Sequence, residues 1–96
     1  MVEVLQTEVF DRWLRRLRDR QARARIQVRI DRLALGLTGD VKPVGEGISE
    51  LRIDYGPRYR IYFVRHGEAT VVLLAGGDKT TQARDIAAAH ALARSL

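Results

Sequence analysis

The chain has 96 residues, enough for one domain near the small end of what buries a core unaided. Its 46% apolar and 30% charged content fits an ordinary globular domain, no run nears the roughly 18 apolar residues of a membrane span, and the start "MVEVLQTEVF" lacks the pattern of a secretory signal. The absence of cysteine excludes disulfides and thiol chemistry and fits a reducing cytoplasm, two histidines make a structural zinc site untenable, and the net charge of +5 points to anionic partners.

"VEVLQT" reads as a first strand, with Thr7 as the N-cap of a helix over "EVFDRWLRRLRDR". There Phe10, Trp13, Leu14 and Leu17 share one apolar face. A second helix carries the stripe Ala22, Ile26, Ile30, Leu33 and Leu37, and Gly36 and Gly39 mark its end. Arg25, Arg29 and Arg32 lie on another side of it. Nine arginines against three acids fall between Asp11 and Arg32, so the basic charge is concentrated in this helical pair. "TGDVKPVGEG" is a loop by its Gly and Pro punctuation. Three strand-like runs follow, "ISELRID", "YRIYFVR" and "ATVVLLAG", separated by the turns "YGPR" and "HGE". "TTQARDIAAAHALARSL" is an Ala-rich final helix. The order is β-α-α-β-β-β-α, and the class is α+β: one domain over 1–96, a small, largely antiparallel sheet with a helical hairpin on one face.

Strand residues alternate between faces. Leu51, Ile53, Ile61 and Phe63 are placed beneath the two helices, which leaves Glu50, Arg52, Arg60 and Tyr62 together on an open opposite face. A solvated face with weak Glu–Arg pairs explains this pattern without any function. An anion site explains it as well. The cations converge from two neighbouring strands, Tyr59 and Tyr62 are placed to stack on bases, and Lys79 arrives from "GGDK", where paired glycines admit close approach.

"SELRIDYGPRYRIYF" followed by "VVLLAGGDKTTQARDIAAA" resembles the RelE/ParE superfamily of bacterial toxins, closest to the HigB-like branch often labelled addiction-module killer protein. The resemblance runs along nearly the whole chain and implies a RelE-like fold. It implies the toxin of a type II toxin–antitoxin pair, neutralised by a cognate antitoxin that usually carries a helix-turn-helix. RelE and HigB members cut mRNA on the ribosome, whereas ParE members poison DNA gyrase. Arg60 matches the family's phosphate-binding catalytic arginine, Arg52 a basic strand residue of the same face, and Lys79 the basic position after the last strand. Family lysines of the second strand are replaced here by Ile48 and Glu50, and a family tyrosine near the last helix by Asp85 and Ile86. Arg58 stands where relatives often place a small residue.

The expected activity is therefore metal-independent endoribonuclease cleavage, with no cofactor, acting on mRNA at the ribosome; the alternative is gyrase inhibition. Cleavage by a 2′-hydroxyl needs a base, cations for the developing charge, and an acid. Arg52 and Arg60 suit the charge, Glu50 or Asp85 the base, and Lys79 the acid. Tyr62, Tyr59, Arg58, Arg25, Arg29 and Arg32 are candidate RNA contacts, although the arginine-rich helices also fit a solvated face or an antitoxin contact. His66 reads as a loop residue, His90 as packed or solvent-facing on the last helix, Trp13 as core, and Asp78 as a local cap.

Overall fold

The computed structural model describes all 96 residues, Met1–Leu96. The first strand, β1 (Glu3–Gln6), runs into Thr7, whose hydroxyl accepts from the amide of Phe10 at 3.1 Å and donates to the carbonyl of Leu74 at 2.6 Å. One side chain thus starts helix α1 (Glu8–Arg16) and fastens that start to the last strand. The helix ends earlier than its sequence suggests, because Leu17 adopts an extended conformation. Asp19 does not continue α1. It is the N-cap of α2 (Arg20–Ala34), accepting from the amides of Gln21 and Ala22 at 2.9 and 3.2 Å. Gly36, at φ +84°, then turns the chain away, a conformation that costs glycine little.

The stretch expected to be a plain loop holds a further strand, β2 (Val41–Pro43), paired antiparallel with β3 (Ile48–Arg52). Proline hides such a strand from propensity reasoning, but an edge strand tolerates it. Strands β4 (Arg60–Arg65) and β5 (Thr70–Gly77) continue the antiparallel meander. A short 3₁₀ turn (Lys79–Thr81) leads into α3 (Gln82–Arg94). The five strands are ordered β1-β5-β4-β3-β2, with β1 parallel to β5 and every other pair antiparallel. The fold is α+β with a mostly antiparallel sheet, as expected, plus this one added edge strand.

Two cores flank the sheet. Leu51, Ile53, Ile61 and Phe63 lie under α1 and α2 with Phe10, Ile26, Ile30, Leu33, Val71 and Leu73. Full burial of each such side chain contributes about 1.5–3 kcal/mol. The opposite face is not open: Ile48, Tyr62, Val72, Leu74 and Ala75 pack there against Ala89 of α3. Tyr62 pairs with Ala75 but Phe63 pairs with Leu73, so Leu74 is an extra residue in β5. That bulge explains how two consecutive residues, Leu74 and Ala75, both serve the α3 side.

Candidate functional site

Of the four residues expected on an open face, three are buried by α3. Glu50 and Tyr62 have no exposed surface, and Arg60 retains 8%. The cause lies in α3 itself, where a small buried side chain such as Ala89 lets the helix approach the sheet. Beneath it the polar groups converge on one carboxylate oxygen. The Tyr62 hydroxyl and the Gln82 amide both donate to Glu50 Oε2 at 2.9 Å. Arg60 Nε stands 3.2 Å from the same oxygen as an ion pair, but off the hydrogen-bond direction, so Nε and Glu50 Oε1 lack hydrogen-bond partners. Burial, and then the bond to Glu50, push the Tyr62 phenol well above its ordinary pKa. Tyr62 therefore offers no ring face to a base, and Glu50 has no surface from which to take a substrate proton.

Asp85 is likewise nearly buried, accepts from the Thr81 hydroxyl at 2.5 Å and lies against Gly77. A β-carbon on Gly77 would collide with the Asp85 carboxylate, and one on Gly76 with the Trp13 ring. The paired glycines thus admit two of the chain's own side chains, one on each side of the sheet.

Past the part of the sheet that α3 covers, where β3 meets β4, lies a pocket of about 280 Å³. Arg52, Arg58, Arg60 and Tyr59 line it, together with Ile53 and the carboxylates of Asp40 and Asp54. The register explains the convergence, because Arg52 is paired directly with Arg60 across the two strands. Like charges so placed repel, and each has its own counterion. Arg52 donates to Asp40 Oδ1 from Nη2 at 2.9 Å and from Nε at 3.3 Å, at the surface. Arg60 has Glu50 below it and donates from Nη1 to the carbonyl of Arg58 at 3.3 Å. Arg58 belongs to this group after all. It sits at φ +64°, a left-handed conformation costing an ordinary L-residue about 1–2 kcal/mol. Tyr59 is half-buried, its ring edge-on to Trp13 at 6.2 Å, and burial raises its phenol pKa. Its carbonyl accepts from the amide of Ile53 at 2.9 Å, closing the hairpin behind the pocket.

The other candidates lie elsewhere. Lys79 is exposed and outside the pocket lining, though its amide donates to the carbonyl of Pro57 at 3.3 Å and braces the turn that carries Arg58. Arg29 is committed to structure: it donates to the carbonyls of Arg52 at 2.7 Å and Thr38 at 3.2 Å, and burial lowers its pKa. Arg25 lies over the ring of Tyr55 at 4.6 Å, and Arg32 is exposed on α2. Asp78 caps the turn into α3, where the Thr80 hydroxyl holds its carboxyl below the usual range. His66 is exposed beside its turn. His90 is partly buried on α3, with its Nε2 2.9 Å from the carbonyl of Val44 and its Nδ1 2.9 Å from Glu46. Asp40 and Asp54 were not singled out in the sequence. Asp54 shares the alternation of Glu50 and Arg52, which is the signal that marks it; Asp40 precedes a strand that carries no strand signal.

With this geometry in view, comparison with known proteins is specific. A family model described as phage-derived protein Gp49-like (DUF891) matches residues 12–94. An uncharacterized protein of Haemophilus influenzae is 46% identical over 95 residues, covering 99% of this chain and 96% of that protein. The family match spans the end of α1, all of α2, the Arg52–Arg60 hairpin and α3, and on that basis the chain belongs to the Gp49-like family of phage-derived proteins.

Proposed function

We propose that this protein is the toxin of a type II toxin–antitoxin pair, acting as a ribosome-dependent, metal-independent mRNA endonuclease that a cognate antitoxin neutralises. Membership of the Gp49-like family, a RelE-like toxin family, supports the toxin half of the reading. The observation that carries the nuclease half is the pocket where Arg52, Arg58 and Arg60 converge beside Tyr59. Three guanidinium groups on one rim suit a phosphodiester, whose charge rises as the 2′-hydroxyl attacks.

In this reading Arg60 is the principal charge stabiliser. Glu50, Tyr62 and Gln82 are positioning residues that fix its orientation from below. Of the two carboxylates in the pocket, Arg52 already engages Asp40, which makes Asp54 the better base for the 2′-hydroxyl. The proton passes to Asp54, the new bond forms between the 2′-oxygen and phosphorus, and the bond to the 5′-oxygen breaks. Water in the open pocket protonates that leaving oxygen, and the ribosome contributes by holding the mRNA in line. Lys79 contributes charge near the turn, and Asp85 supports the start of α3.

The test is induction of wild-type and Arg60→Lys chains, each confirmed folded by circular dichroism, with growth and intact transcripts followed. Arrest with cut transcripts in the wild type, lost in Arg60→Lys, is the expected result. A charge-preserving lysine that retains full activity would show that the guanidinium of Arg60 is not needed to stabilise the phosphodiester charge.

A further inference from the structure

The second cavity of the molecule lies along the outer side of α2 and has a different chemistry. It is a groove of about 460 Å³ between that helix and the end of β3. Its lining combines apolar Ala24, Val28 and Ile53 with Arg25 and Arg32 and with one acid, Asp54, so cations outnumber carboxylates there. Gln21, Ala24, Val28, Arg32 and Leu35 succeed one another at intervals of three and four along the chain, so they form one stripe down the helix. Val28 and Leu35 are large apolar residues left 47% and 61% exposed on that stripe. The helix holds five arginines against the single acid Asp31.

This combination separates the possible occupants. Nucleic acid would use the arginines but gains nothing from Val28 and Leu35. The nearest aromatic ring is also unavailable as a stacking platform. Arg25 already covers the face of Tyr55, whose hydroxyl is engaged with Asp19 and Gln21, each at 3.0 Å. A second copy of this chain would bring a second set of arginines to the same stripe. An amphipathic segment with apolar residues along one face and carboxylates at its flanks meets both features at once. The 15 residues of α2 offer about 22 Å of helix for it to follow.

We propose that the α2 groove is the docking surface for an acidic, amphipathic helical segment of the protein that neutralises this toxin. The inference rests on the toxin reading above, and it places neutralisation on a surface that meets the Arg60 pocket only at Ile53 and Asp54. Docking here leaves Arg52, Arg58 and Tyr59 uncovered but lies against Asp54, so the neutralising partner acts on the proposed base rather than on the arginines of the pocket.

The test is a titration of the ¹⁵N-labelled full chain, in about 0.15 M salt, followed by amide chemical shifts. The probe is a synthetic peptide of about 18 residues, long enough to hold a helix, with leucines at helical spacing on one face and glutamates on the rest. Shifts confined to Gln21–Leu35 and Ile53–Tyr55 are expected. Val28→Glu and a peptide with leucines replaced by serines should each weaken binding about tenfold or more. Equal binding of the serine peptide would overturn the proposal, leaving a merely cationic surface. So would shifts at Asp40, Arg58 and Arg60 without shifts along α2, no binding at all, or displacement of the peptide from α2 by a 2′-O-methylated single-stranded RNA. Growth arrest by the wild-type chain is read separately. A chain that never arrests growth counts against the toxin reading, and a peptide that never binds counts against the docking surface.

Discussion

Replacing Glu50 by glutamine keeps its shape and removes its charge from beneath Arg60. The two side chains retain 1% and 10% of their surface, so the pair is a buried one. Removing one partner of a buried pair costs about 3–5 kcal/mol, because the remaining charge stays desolvated without compensation. Arg60 borders an open pocket from which water can reach it, so the lower end, about 3 kcal/mol, is expected. Glutamine can still accept from the Tyr62 hydroxyl, which keeps that contact from adding to the loss. In urea, where a small domain loses about 1 kcal/mol per molar, the unfolding midpoint should fall by about 3 M with unchanged slope. The double variant Glu50→Gln, Arg60→Met removes both charges. It should be more stable than Glu50→Gln alone, giving a double-mutant cycle far from additive. A midpoint loss under about 1 M in Glu50→Gln, or strict additivity, would refute the claim that Glu50 is the buried counterion of Arg60.

Further expectations rest on other contacts. Arg58→Gly relieves the left-handed backbone and should raise stability by about 0.5–1 kcal/mol by urea unfolding while growth arrest weakens, since the pocket loses a cation. Equal or lower stability would remove the strain argument. Tyr62 has its phenol pKa raised in the folded state, so its contribution is full below the unfolded value of about 10 and is lost as pH rises beyond it. Above about pH 10, wild-type stability should therefore fall more steeply than that of Tyr62→Phe, by up to about 1.4 kcal/mol per pH unit, and parallel profiles would contradict this. Arg29→Met frees the carbonyls of Arg52 and Thr38 and should cost about 1.5–3 kcal/mol, with faster amide exchange in β2. Unchanged exchange there would show that Arg29 does not hold the β2 edge.

Much of the helical side of the fold was legible because its signals agree. Leu51, Ile53, Ile61 and Phe63 alternate cleanly, and Ala22, Ile26, Ile30 and Leu33 form one helical face to match them, although Leu37, read as the last of that stripe, lies past the end of α2 and is exposed. Thr7 is the residue type an N-cap needs, and it caps. The other side was misread for a physical reason. Glu50, Arg60 and Tyr62 look like solvent-facing residues one at a time, and they become buriable only as a set in which the charges pair and Tyr62 donates to Glu50. The Ala-rich sequence of α3 has no strong apolar stripe to announce that it covers them. A related gap hid Asp40. The strand that follows it is three residues long and ends in Pro43, so neither length nor propensity reveals it. Of the residues singled out in the sequence, the pocket brings together Arg52, Arg58, Arg60 and Tyr59, and the others lie elsewhere. Arg58 is held there at a backbone angle that residue type does not encode.

The most direct test of the account is to map mRNA 5′ ends across the transcriptome after brief induction of the wild-type chain and of Arg60→Ala, with both proteins shown to be folded. The account predicts new 5′-hydroxyl ends within translated reading frames for the wild type and none for Arg60→Ala. Growth arrest by the wild type without new ends, accompanied by an SOS response, would contradict it and assign the toxicity to gyrase.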